Sequence, residues 1–230
     1  MPKQSTIGAP SEGNHKIGGV PTVHYLDFQS KGRGQVVRLF FEDAGISYHD
    51  VRYDNDELPA AKKGKLGAMN PLCTLPVLEL NGRTLMQSYA MLRHFARLLN
   101  EYDGTTEEER YWVDAMCDIA TDWRTLFVQA FLHPNHAVTY PAHTAGDRVR
   151  FLRGLETHLT SHELSRAGPF VIGSRITYAD LVIYQVCHDE GLSKDQCEGL
   201  ASYPRLAQLV TAVEARPNVK AFLDSSRYLG

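Results

Sequence analysis

The sequence is poor in several features that would each have fixed its class. Its 230 residues contain no apolar run near the roughly 18 to 20 needed for a membrane-spanning helix, and the opening residues lack the short hydrophobic core of a secretion signal. A cytoplasmic protein is the expectation. Cysteines number four, Cys73, Cys117, Cys187 and Cys197, and their scatter without CxxC spacing argues against a zinc site and against a disulfide framework. A basic surplus is missing as well: the formal net charge is -3, which gives no electrostatic hold on a nucleic acid. No internal repeat is visible. What remains is an ordinary globular balance, 43% hydrophobic and 22% charged, in a chain long enough for one large domain or two small ones.

Residues 1–20 are rich in Gly, Pro, Ser and Lys and hold almost nothing apolar, so they read as a flexible N-terminal arm that cannot offset the entropy of ordering. From Thr22 the text changes. Val23-His24-Tyr25-Leu26 reads as a strand, and Gln29 to Gly34 as a turn into an apolar helical run, Val36, Val37, Leu39, Phe40 and Ala44, closed by Gly45. Tyr48 to Tyr53 is again extended, which completes a parallel strand, helix, strand unit. Leu75 to Leu80 and Arg83 to Met86 flank Asn81-Gly82, a strong hairpin signal because both residues tolerate the positive φ of a type I′ turn. A helix follows with Ser88 as its expected N-cap and Leu92, Phe95, Ala96 and Leu99 at helical spacing.

This order, β-α-β then β-β-α over residues 21–100, is a thioredoxin-like α/β arrangement. After a polar linker, residues 105–230 read as an all-α helical-bundle domain. Two overlapping capping boxes, Thr105 with Glu108 and Thr106 with Glu109, open a long helix whose apolar stripe runs Trp112, Met116, Ile119, Trp123, Leu126, Phe127 and Ala130. Helices are also expected over 148–162, 177–190 and 203–215. His133, His136 and His143 lie close together, but Pro134 and Pro141 are expected to break the helix that would align them on a metal.

The text Leu75-Pro76-Val77-Leu78, the hairpin and then Gln87-Ser88 resembles the glutathione transferases, over roughly residues 22–228, and in particular the tyrosine-using group that includes the sigma, pi, mu and alpha classes. The resemblance implies a cytosolic homodimer with glutathione as co-substrate and no metal, which conjugates the glutathione thiolate to small apolar electrophiles in detoxification. It implies a cis Pro76 that exposes the Leu75 backbone to the cysteinyl unit, and a helix start at Gln87 and Ser88 that receives the γ-glutamyl carboxylate. Lys62 falls where sigma-like members hold the glycine carboxylate, with Leu58 in place of their tryptophan. Asp122 aligns with the aspartate that crosses the dimer to the neighbour's glutathione. Gly173 to Asp180 resembles the family's capping box and staple, with Thr177, Asp180 and Ile176 in those roles.

Because the thiolate is the nucleophile and a free thiol has a pKa of about 8.5, the protein must stabilise the ionised sulfur. Tyr25 is the expected hydroxyl donor and Arg33 a nearby positive charge. Tyr25 stands eight positions before Arg33, two more than in the tyrosine-using classes, so an ungapped match would put Asp27 there. A two-residue insertion retains Tyr25, whereas the serine-using arrangement would present Ser30. Two other readings stay open, a glutathione-dependent isomerase and a non-catalytic relative that binds glutathione or another ligand.

Overall fold

A computed structural model describes residues 1–230, and the chain divides into two compact units, Met1–Glu101 with Arg216–Gly230, and Tyr102–Ala215. The first unit is built on a five-stranded sheet in the order β1-β3-β2-β4-β5. The strands are β1 (Lys3–Ile7), β2 (Thr22–Leu26), β3 (Tyr48–Tyr53), β4 (Val77–Leu80) and β5 (Arg83–Met86). β2 and β3 are parallel and joined by helix α2 (Gly32–Asp43), whose Val36, Val37, Leu39, Phe40 and Phe41 are at most 1% exposed. β4 runs antiparallel to β2, and the β4–β5 hairpin turns at Asn81 (φ 50°) and Gly82 (φ 70°), the positive-φ pair a type I′ turn requires. Two short helices, α3 (Leu58–Lys63) and α4 (Lys65–Met69), fill the β3–β4 connection, and α5 (Ser88–Leu99) follows β5.

The expected flexible arm is corrected. Residues 3–7 form β1, paired antiparallel with β3 from Lys3 opposite Arg52 to Ile7 opposite Tyr48, and Glu12–Ile17 form a further helix, α1. Four of the five β1 residues are exposed, so main-chain pairing at the sheet edge holds the strand. Asn14, only 2% exposed, bonds the Ser47 N–H and C=O and the Gly19 carbonyl, tying α1 to the turn before β3. A composition argument weighs side-chain burial and misses both devices. Ser88 is likewise the first helical residue of α5, the cap position being Gln87 at φ 68°.

The second unit is helical: α6 (Glu107–Phe131), α7 (His136–Ala145), α8 (Asp147–Ser161), α9 (Tyr178–Asp189), a 3-10 segment (Asp195–Leu200) and α10 (Pro204–Glu214). α6 buries Trp112, Met116, Trp123 and Phe127 along one stripe, broadened by Val113, Cys117 and Ala120. At its start the Thr106 hydroxyl accepts the Glu109 N–H, but the Glu109 carboxylate reaches one residue further back than a capping box requires, to the Thr105 N–H and hydroxyl at 2.7 Å. On α9 the wholly buried Asp180 accepts from the Thr177 N–H and hydroxyl at 2.7 Å and from the Val171 N–H at 2.8 Å. Burial pushes its carboxyl up to about 6 against these bonds. The expectation that Pro141 interrupts helix is corrected, because α7 runs through it. The missing N–H forfeits only the bond to the carbonyl of Ala137, an exposed residue of the first turn, where water can replace it.

The expected boundary of the helical domain at residue 230 is also corrected. Arg216–Gly230 belongs to the first unit, with a last helix α11 (Pro217–Leu223) against α2. Arg216 Nε lies 2.8 and 2.7 Å from the two carboxylate oxygens of Asp43, and the Asn218 amide donates to the Asp43 carbonyl at 2.9 Å. All four cysteines are free thiols, and no helix is long and apolar enough to cross a membrane.

Candidate active site

A cavity of about 470 Å³ opens in the first unit where β2, the α2 start, α3, the segment before β4 and the α5 start meet. That is within the roughly 300–1,000 Å³ usual for small-molecule sites. It brings together Tyr25, Arg33, Lys62, Leu75, Pro76, Gln87 and Ser88 of the residues singled out from the sequence. Leu26, Leu58 and Leu72 give it an apolar side.

Tyr25 is the penultimate residue of β2, and its ring lies across the start of α2. Two glycines make the room: a Cβ at Gly34 would lie 2.2 Å from Tyr25 Cγ, and one at Gly32 would lie 2.5 Å from its hydroxyl oxygen. The Arg33 N–H donates to that oxygen at 3.1 Å, so a phenol already accepting at a helix N-terminus is polarised to donate its own proton. Arg38, fully buried and paired with Asp50 at 2.9 Å, holds its guanidinium 5.6 Å from the Tyr25 ring centre. The Arg33 guanidinium stacks 5.4 Å from the Tyr89 ring centre.

The other two residues considered for that position lie elsewhere. Asp27 pairs with Lys3 at 2.5 Å, a contact that holds its carboxyl below the usual range, and does not line the cavity. Ser30 is fully buried outside the lining, its hydroxyl accepting the Leu229 N–H at 2.9 Å.

Opposite Tyr25, the Leu75–Pro76 peptide is cis and leads into β4. Gln87, with φ 68° and ψ 97°, turns the chain so that it and the buried Ser88 line the cavity at the start of α5. Helix N–H groups without intrahelical partners cluster at such a start and suit a carboxylate. Of the neighbouring lysines, Lys62 lines the cavity, Lys63 is exposed outside the lining, and Lys65 pairs with Glu79 at 2.6 Å. Sequence reasoning missed Leu72, Cys73 and Thr74. Cys73 sits at φ 50°, in the left-handed region, and a lone residue of that kind carries no pattern to read.

In the second unit, Asp122 is an exposed residue of α6. His133 and His143 line a separate cavity of about 590 Å³, but His143 turns Nε2 to the buried Glu190 at 3.0 Å, and the three histidines do not converge.

Comparison with known proteins gives a consistent result. The glutathione S-transferase N-terminal domain family matches residues 34–98, and the glutathione S-transferase C-terminal domain family matches residues 121–226. The sequence is 29% identical to glutathione S-transferase P 10 of Caenorhabditis elegans over 90% of the chain and 92% of that protein. It is also 29% identical to hematopoietic prostaglandin D synthase of Rattus norvegicus, over 89% of the chain and 96% of that protein. The fold matches the pi-class glutathione S-transferase of Onchocerca volvulus with a TM-score of 0.77 at 22% identity, covering 89% of this chain and 92% of that one.

Proposed function

The chain belongs to the glutathione S-transferase family and is a glutathione transferase, and on that premise we propose that the Tyr25 cavity binds glutathione and joins its thiolate to small apolar electrophiles. The observation that carries this reading is the placement of a polarised phenol, a cis-proline segment, a helix start and a lysine around one cavity. In this reading Ser88 and the α5 N–H groups take the γ-glutamyl carboxylate, the Leu75 main chain pairs with the cysteinyl unit, and Lys62 takes the glycyl carboxylate. The Tyr25 hydroxyl donates to the sulfur. Each pKa unit by which this bond favours thiolate is worth about 1.4 kcal/mol, so a shift of about two units raises the ionised fraction near neutral pH by more than tenfold. Arg33 adds positive potential at the same helix start.

The protein acts as a homodimer in this proposal, with Asp122 of each subunit reaching the glutathione ammonium of the other, and it works in the cytoplasm. Tyr25→Phe is the direct test. Conjugation of an aryl halide should fall by about 10- to 1,000-fold while calorimetry still detects glutathione binding. Undiminished turnover in that variant would remove Tyr25 from the chemistry. Isomerisation with glutathione regenerated is the second reading, favoured by the similarity to a relative named for a synthase reaction and not for conjugation. A product without a glutathione moiety, formed with no loss of glutathione, identifies it.

A further inference from the structure

β2 points successive side chains to opposite faces of the sheet, and its two central polar residues therefore serve different neighbours. Tyr25 turns to α2. His24, 2% exposed, turns to the other face, where its register partners are Val51 on β3 and Val77 on β4. Two residues further along those strands stand Tyr53 and Glu79, on the same face as Val51 and Val77. His24 Nδ1 lies 3.0 Å from the Tyr53 hydroxyl and Nε2 lies 2.7 Å from Glu79, and Lys65, the first residue of α4, closes on the same Glu79 oxygen at 2.6 Å.

Burial lowers the affinity of His24 for a second proton, so the ring is neutral near pH 7 and its two nitrogens must play different roles. Only one assignment satisfies every group. Nε2–H donates to the Glu79 carboxylate, which is acceptor-only, and Nδ1 accepts from the Tyr53 hydroxyl. The result is an unbroken chain of bonds, Tyr53 to His24 to Glu79 to Lys65, that starts inside the sheet and ends on α4.

The α3–α4 segment on which that chain ends borders the cavity through α3. Tyr53, Val51 and Leu66 form a small buried cluster against which Leu58, Ala61 and Leu75 pack, so α3 and α4 rest on the face that His24 occupies. Leu58 and Lys62 of α3 line the glutathione cavity, and Leu75 lines its other wall. The cluster is small, and α3 has no fully buried residue of its own. The polar chain therefore adds a tie between β4 and the α3–α4 segment to the few contacts that fix it.

We propose that His24 is a positioning residue for glutathione, holding α3 and α4 through Glu79 and Lys65 so that Lys62 stands at the correct depth in the cavity. The role rests on the reading of that cavity as a glutathione site. It differs from general structural support in acting through one side chain, Lys62, and on binding and not on the chemical step.

The experiment is a double-mutant cycle on the full-length enzyme, read as KM for glutathione and kcat separately. His24→Leu should raise KM about tenfold with kcat within about twofold, and Lys62→Ala should do the same. In the double variant KM should be no more than about twofold above that of Lys62→Ala, because a misplaced lysine and an absent one are equivalent. His24→Gln, which can still donate to Glu79, should recover most of the lost affinity. Should His24→Leu fail to fold, Lys65→Met breaks the chain at its half-exposed end and is expected to raise KM about threefold with the same non-additivity. An unchanged KM in these variants, KM effects that multiply with Lys62→Ala, or a fall confined to kcat would each overturn the assignment. Wild-type enzyme that binds glutathione by calorimetry confines such a failure to His24, whereas wild-type enzyme that binds none overturns the site reading and this inference together.

Discussion

At the scale of single residues, the Tyr25 ring depends on atoms that are missing. Gly34 has an ordinary helical backbone, so alanine would be acceptable there to the main chain alone, but the added methyl would meet Tyr25 Cγ at 2.2 Å, far inside any real contact. Either the ring leaves or the α2 start moves. Gly34→Ala should therefore cost about 1–3 kcal/mol in urea unfolding and lower conjugation about as far as Tyr25→Phe does, although the hydroxyl is still present. Normal activity in this variant would show that the hydroxyl does not have to sit at the Arg33 N–H. The same geometry explains why the sequence spacing was ambiguous. A ring lying over a Gly-Arg-Gly turn can reach the helix start from eight positions back, and the count between Tyr25 and Arg33 carries no information about the ring's direction.

Among elements, those with local signals were legible and those held by distant partners were not. The Asn81–Gly82 hairpin, the strand pair around α2 and the apolar stripe of α6 follow from turn chemistry and periodicity, and each stands where those rules put it. β1 has no periodic signature because it is an exposed edge strand, and α1, although it carries local caps at Ser11 and Gly18, is too short and polar to show an apolar stripe and is anchored through the distant partner of Asn14. The cavity residues taken from the resemblance do meet in space, but the loop residues 72–74 beside them could not be read. The start of α6 lies between these cases. Glu109 there is held at about 2 by Arg175 and by its bonds to Thr105, below the ordinary carboxylate value of 4.5. Since the folded value is the depressed one, the stabilisation is complete above about pH 4.5 and is lost as pH falls towards 2. Arg175 is nearly half exposed, so solvent screening leaves about 1 kcal/mol of it. Glu109→Gln should lose about that much at pH 7, and its difference from wild type in chemical denaturation should shrink steadily between pH 5 and pH 3. A difference independent of pH would mean that packing, and not charge, is what Glu109 contributes.

For the whole molecule, the return of Arg216–Gly230 to the first unit shows how a chain can look like two consecutive domains and be built otherwise. Its bonds to Asp43 join residues 173 and 175 positions apart, beyond any pattern a local reading detects. The proposed role of Asp122 is of the same long-range kind, one step further, because its target lies in another copy of the chain. An exposed carboxylate on α6 has no task that one subunit reveals. Sedimentation should give a dimer of the 25.8 kDa chain, and Asp122→Ala should weaken glutathione binding about tenfold without dissociating it. Mixed dimers then separate the two geometries. When an Asp122→Ala subunit is paired with a Tyr25→Phe subunit, an aspartate acting across the interface leaves one site with both defects and the other with neither. Such a dimer should turn over at about half the wild-type rate with an unaltered KM for glutathione, because its intact site is wild type in every contact. An aspartate acting within its own subunit leaves one defect in each site, and the mixture would then show the raised KM of Asp122→Ala. That outcome would place the ammonium contact within one chain and leave the dimer without a part in binding.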